Sequence, residues 1–281
     1  MGARVLAALV ATALVVGAVV LRTGMDSDDD GGPLGGGGGD ERVVFCAREL
    51  GDVCDGDEVP AATTAKNVID AGDAPDTWVT AGPWPAMVDE ARVNLPPLFA
   101  GDRKPRVVAG APLVAVVRKR PPQCPEQVTW VCLGDALIAD VRISAPPQDD
   151  STRLFLRAAF VAGKIGNSDY ASNDVEGEVL DWIAAVERGL DANRQFAASV
   201  DDFRVIPGVD VFLTTIADAG GPVAGMSTVT PAPLVRIDVY ATGERPDGLA
   251  ERLTAEGWLP PSSADDGLPS PGVLVALREI V

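Results

Sequence analysis

Residues 103–120 place the strongest constraint on what this chain can fold into. Val107-Val108-Ala109 reads as an apolar strand, Gly110-Ala111-Pro112 interrupts it, and Leu113 to Val117 resumes it before the basic triplet Arg118-Lys119-Arg120. Proline cannot donate to a strand ladder and holds the preceding residue extended, so an Ala-Pro step lets a strand continue while it changes partners. We read the run as a strand that leaves one compact body at residue 112 and enters another at 113. A chain that crosses out must cross back. Residues 226–236, punctuated by Pro231 and Pro233 and leading into the alternating strand Leu234 to Tyr240, are placed to do so.

The rest of the chain supplies material for both bodies. Ahead of the first crossing, Val43 to Phe45 and Thr77 to Thr80 read as strands, with helices over Thr63 to Ala71 and Pro85 to Val93. Beyond it, Val141 to Ser144 and Asp210 to Ile216 read as strands. Arg153 to Gly163 reads as a buried helix capped by Asp150 or Ser151, and Gly177 to Ala198 as two helical pieces. Asp247 to Glu256 reads as an amphipathic helix, and Gly272 to Val281 as a last apolar segment. Alternating strands and helices predict an α/β chain of two lobes, each a mainly parallel sheet flanked by helices, joined by two hinge crossings. A hydrophobic fraction of 47% over 281 residues supports a core of that size. The expected boundaries are 43–112 with 234–281 for the first lobe and 113–233 for the second.

Residues 1–24 stand apart from the fold. The run from Val5 to Leu21 carries no charge and, as a helix, spans about 26 Å, short for a membrane span and long for a signal-peptide core. Its exit, Ala18-Val19-Val20-Leu21, is a poor cleavage context, so we read an uncleaved anchor, with a cleaved signal peptide and a secreted product as the rival. Residues 25–42, rich in Asp and with five glycines at 35–39, read as a flexible tether. Cys46, Cys54, Cys124 and Cys132 all follow it, and an even count in an exported chain argues for disulfides. Equal spacing favours Cys46 with Cys54 and Cys124 with Cys132, although four cysteines permit three connectivities and a four-thiolate zinc site.

A formal charge of −18 disfavours nucleic acid and anionic membranes as partners. The chain has no histidine, which removes the commonest general base and the Ser-His and Cys-His pairs. Paired carboxylates remain at Asp149-Asp150, Asp201-Asp202 and Asp265-Asp266, where adjacent loop aspartates ordinarily serve turns. Asp26 to Gly31 imitates the start of a calcium loop but has Gly37 where a bidentate Glu is needed. No catalytic residue, metal ligand or cofactor is assigned.

The ordered set of elements resembles the type 2 periplasmic-binding-protein fold of the extracytoplasmic solute-binding proteins of ABC transporters, from a bacterium with a GC-rich genome. The resemblance rests on Val43-Val44-Phe45 followed by Cys46 to Leu50, on Pro75 to Thr80 followed by Trp84, on Val108 to Val116 as the first crossing, and on Ser151-Thr152 ahead of a helix. Gly257-Trp258-Leu259 resembles the family's closing helix end. The resemblance implies a small ligand held between the lobes by loop N–H groups and helix starts. It points to Arg48, Glu49, Gly82, Trp84 and Ala111 from the first lobe and to Ser151, Thr152, Thr214 and Thr215 from the second. Asp149 and Asp150 beside that site oppose sulfate, phosphate or molybdate. The rival reading, from a different class, is a membrane-tethered protein-interaction module on a degenerate solute-binding scaffold.

Overall fold

The computed structural model describes residues 44–54, 57–148, 150–222, 224–263 and 267–279. The anchor and tether expected over 1–42, the calcium-loop fragment, Val43, Asp149 and the pair Asp265-Asp266 lie outside the described residues. Within the described residues no helix is long and apolar enough to cross a membrane.

The strands are β1 (Val44–Ala47), β2 (Asp57–Val59), β3 (Thr77–Ala81), β4 (Arg106–Val117), β5 (Ile143–Ser144), β6 (Val211–Thr215), β7 (Ser227–Val229) and β8 (Arg236–Gly243). They form one path in the order β2-β1-β3-β8-β4-β6-β5, with β7 also on β4. β4 is the shared member. Residues 106–112 pair with β8, whereas 113–117 pair with β6 and 115–117 with β7. The change of partner falls at Pro112-Leu113, where the Ala-Pro step stands. The chain returns between the end of β7 at Val229 and the start of β8 at Arg236.

The sheet is mixed, not mainly parallel. Parallel pairing is confined to β1 with β2, β1 with β3, and β5 with β6. β8 enters between β3 and β4 and runs against both, and β4 also runs against β6. The returning strand travels opposite to the outgoing one, so antiparallel ladders occupy the centre and the parallel units sit outside.

The helices are α1 (Ala61–Ala71), α2 (Trp84–Ala91), α3 (Trp130–Ile138), α4 (Ser151–Ile165), α5 (Glu178–Asn193), α6 (Val200–Val205), α7 (Ile216–Ala219), α8 (Leu249–Ala255) and α9 (Pro271–Arg278). Cys46 is bonded to Cys54 and Cys124 to Cys132, which excludes the zinc alternative. α3 begins at Trp130, capped by Thr129, whose Oγ1 accepts from Cys132 N at 3.2 Å. Trp130 Nε1 donates to the Pro233 carbonyl at 2.8 Å and so ties the return crossing to the second half of the sheet.

β4 divides its faces with strand period. Leu113, Ala115 and Val117 enter the main core, which runs through Trp78, Phe155, Phe160, Leu213 and Ile237. Val114 and Val116 face a smaller cluster with Phe203 and Phe212. The last helix, α9, packs on both α2 and α4, so it spans the two halves.

Gly110 carries the tightest constraint on the crossing. Arg236 Nε lies 2.7 Å from Asp238 Oδ1 above it, and both side chains are largely buried. A Cβ at Gly110 would meet Arg236 Nε at 2.3 Å and Asp238 Oδ1 at 2.4 Å. Gly110 also exchanges both backbone bonds with Leu259, each at 2.9 Å, leaving the strand no room to shift. We predict that Gly110→Ala destabilises the protein by about 2–3 kcal/mol, since overpacking adds to a disturbed buried ion pair. Urea unfolding measures this, and a loss below about 0.5 kcal/mol contradicts the stated packing.

Candidate functional site

The two halves of the sheet meet at Ser151, the first residue of α4. Its backbone N–H and hydroxyl both donate to Glu49 Oε1, at 3.3 and 2.9 Å. Glu49 lies on the 3-10 turn Arg48–Leu50 that follows β1, between the cysteines of the first disulfide. The same carboxylate accepts from Ala61 N, the first residue of α1, at 3.3 Å. One negative group thus sits between the first turns of two helices, where unpaired N–H groups and the aligned peptide dipoles favour it. Trp84 Nε1 adds a bond to Ser151 Oγ at 3.1 Å. Ser151 and Trp84 are each 2% exposed, so these bonds are shielded from water.

Below Ser151 the interior is filled. Phe155, one turn along α4, is fully buried, and a Cβ on Gly82 would stand 1.9 Å from its Cζ. With φ of +91°, Gly82 also holds backbone that other residues resist.

A cavity of about 190 Å³ remains beside this contact, lined from one half by Ala62, Trp84 and Arg278 and from the other by Asp150, Ser151, Arg153 and Arg157. Arg153 and Arg157 are buried and share Glu187, whose Oε2 accepts from Arg153 Nη2 at 2.6 Å and Oε1 from Arg157 Nε at 2.8 Å. Arg278 stands over the Trp84 ring, 5.4 Å from its centroid, and burial lowers its pKa. A larger open groove, about 640 Å³, lies between the start of β4 and the residues leading into α8. It is lined from the first half alone by charges of both signs, and we place the site in the smaller cavity, where both halves converge.

No family model matches the chain, and no curated protein matches it in sequence. Solved structures do. Apo FutA2 from Synechocystis PCC6803 is 14% identical over 84% of this chain and 95% of its own, with a TM-score of 0.51. The ferric binding protein from Campylobacter jejuni is 10% identical over 85% and 97%, also at 0.51. The chain has the type 2 periplasmic-binding-protein fold. Its two half-sheets are the lobes of that fold, joined through β4 and the stretch between β7 and β8.

In that frame Glu49, Gly82 and Trp84 of the first lobe meet Ser151 directly or through Phe155. Thr152 belongs to the same helix start, its N–H donating to Asp150 Oδ1 at 2.7 Å. Thr214 and Thr215 form a separate group, both hydroxyls donating to Asp218 Oδ2 at 3.1 and 2.8 Å. Arg48 is exposed on its turn, and Ala111 lies buried in the β4–β8 ladder opposite Ile237. Asp201 and Asp202 serve the first turn of α6, where Arg204 pairs with Asp201 at 3.0 Å. Sequence reasoning missed Arg153, Arg157, Glu187 and Arg278. The available signal was the pair of arginines at i and i+4 inside Ser151–Ile165, a helix whose stretch from Leu154 to Gly163 is otherwise apolar.

Asp150 caps α4 and titrates unusually. Burial pushes its pKa from 3.8 up to about 6, with the Glu49 and Asp218 carboxylates adding to the rise and the Thr152 hydrogen bonds opposing it. Asp218 is likewise raised, chiefly by burial. A raised carboxylate pKa means that the folded state holds the proton more tightly than the unfolded chain does. Its contribution to stability is therefore complete below about pH 4 and is lost as pH rises through 6. Asparagine caps a helix as well as aspartate does. We predict that Asp150→Asn gains on the wild type by about 2–3 kcal/mol between pH 4 and pH 7 in chemical unfolding. A difference that stays constant over that range contradicts the assignment.

Proposed function

We propose that the protein is an extracytoplasmic solute-binding protein of the ABC-transporter type, not an enzyme, that holds a small ligand between its lobes. The observation that carries this reading is the cavity beside Ser151, because residues of both lobes line it. Ligand in that position contacts α1, α2 and α9 on one side and α4 on the other, so its binding energy depends on how the lobes meet. We assign residues 43–112 and 234–281 to the first lobe and 113–233 to the second. Of the residues singled out by resemblance, Trp84 and Ser151 face the ligand in this proposal, while Glu49, Gly82 and Thr152 serve the contact that adjoins it. The two disulfides fit an oxidising compartment outside the cytoplasm. The apolar run at residues 5–21 then tethers the protein to the outer face of the cell membrane, near a transporter that receives the solute.

One observation favours the second reading, a protein-interaction module on the same scaffold. The centre of the lobe interface is occupied by Phe155 against Gly82 and by Glu49 against Ser151, which leaves a cavity below the usual range for ligand pockets. Mass spectrometry of small molecules released from the purified full chain, paired with a thermal-shift screen of solute libraries, separates the two. The solute-binding reading predicts a released solute or a concentration-dependent rise in Tm that Trp84→Ala abolishes. No released molecule and no shift across sugars, acids, amines and metal chelates favours the interaction module.

A further inference from the structure

Arg153 and Arg157 are 2% and 6% exposed, yet their hydrogen bonding is incomplete. Each guanidinium carries five N–H donors. Arg153 donates through Nε and Nη2 to Glu187, at 3.1 and 2.6 Å, and through Nη2 to Asp191 at 3.2 Å. Arg157 donates through Nε to Glu187 at 2.8 Å and through Nη1 to the Leu277 carbonyl at 2.6 Å. Among the described residues, Arg153 Nη1 and Arg157 Nη2 have no hydrogen-bond partner, and both residues line the cavity. Both side chains are buried as a whole, but these two donors keep some accessible surface at the cavity, where a ligand oxygen can accept from them in place of water. Glu187 is the positioning residue, since it fixes both guanidinium groups from behind with one carboxylate.

The charge balance narrows the class. Arg153 and Arg157 are paired with Glu187 and Asp191, Arg278 has Glu279 beside it, and Asp150 and Glu49 adjoin Ser151, so the surroundings carry no surplus of positive charge and disfavour a dianion. Two open donors on side chains one helical turn apart match the two oxygens of a planar carboxylate. We propose that the cavity is a monocarboxylate site, in which a small carboxylic-acid solute receives N–H bonds from Arg153 and Arg157 with Arg278 closing over it. The volume of about 190 Å³ limits the remainder of the solute to a few carbons. This assignment rests on the solute-binding reading and names the class of ligand within it.

The test is calorimetric titration and thermal shift of the full chain with acetate, lactate and propionate, set against acetamide, lactamide and inorganic phosphate. The acids are expected to bind and raise Tm, the amides to be silent and phosphate to bind more weakly. Arg157→Lys, which keeps the charge but loses the fork, is expected to weaken lactate at least tenfold. Arg278→Ala, at the exposed end of α9, is expected to weaken it several-fold and serves as the deciding variant if Arg157→Lys does not fold. Unchanged lactate affinity in the folded variant, or preference for phosphate or an amide over the acids, overturns the carboxylate site. A neutral or cationic solute that binds through Trp84 and is indifferent to Arg157 overturns this inference while leaving the solute-binding reading intact. If no acid binds and no other solute does, both fall.

Discussion

A single carboxylate held between the starts of two helices governs how the lobes of this protein meet. Glu49 comes from the first lobe, accepts the first N–H of its own lobe's α1, and reaches across to the first N–H and the hydroxyl of α4 in the second. Each helix start offers unpaired donors and a partial positive charge, so a carboxylate in that position is stabilised from both sides. Helix starts of this kind favour bound anions, and Glu49 occupies that position between the two halves. Closure here rests on a group the chain itself supplies. Phe155 follows it into the interface, and the lobes close on packed side chains with the remaining space displaced to one edge.

That displaced space inherits its character from a second buried group. Arg153 and Arg157 project from α4 toward α5, where Glu187 and Asp191 meet them at matching i, i+4 spacing. Removing one partner of such a cluster strands a charge in low dielectric, at a cost on the order of 3–5 kcal/mol. Arg157 also reaches the last turn of α9 through the Leu277 carbonyl, so the terminal helix is fixed by the same cluster that shapes the cavity. Stability and the shape of the cavity are coupled at this point, and neither is separable from the position of α4.

The sequence made the architecture legible because the crossings are written locally. Gly110-Ala111-Pro112 marks the change of partner within one or two residues, and Pro231 and Pro233 mark the return. The cysteine pairs are close in sequence, and the structure has the local pairing that their spacing favoured among three connectivities. Strand direction was less legible, because β8 pairs with β3 and β4 across separations of more than a hundred residues and nothing near Leu234 announces which way it runs beside them. The site was legible only in part. Ser151 stands at a helix start that its capping chemistry marks, whereas Trp84 and Glu49 were singled out only by the family resemblance. What could not be read is that they would bond to one another instead of pointing at open space, since Glu49 and Ser151 are 102 positions apart. The arginines of α4 were visible as misfits in an apolar helix, but their partners on α5 were not.

Small-angle X-ray scattering of the ligand-free chain beside Glu49→Ala tests the central claim, that the lobes are closed by Glu49 and not by a bound solute. A compact wild type whose radius of gyration does not shrink when solute is added, and a Glu49→Ala variant that is measurably larger, are expected. A wild type that is open without ligand and contracts on binding, with Glu49→Ala indistinguishable from it, contradicts the account.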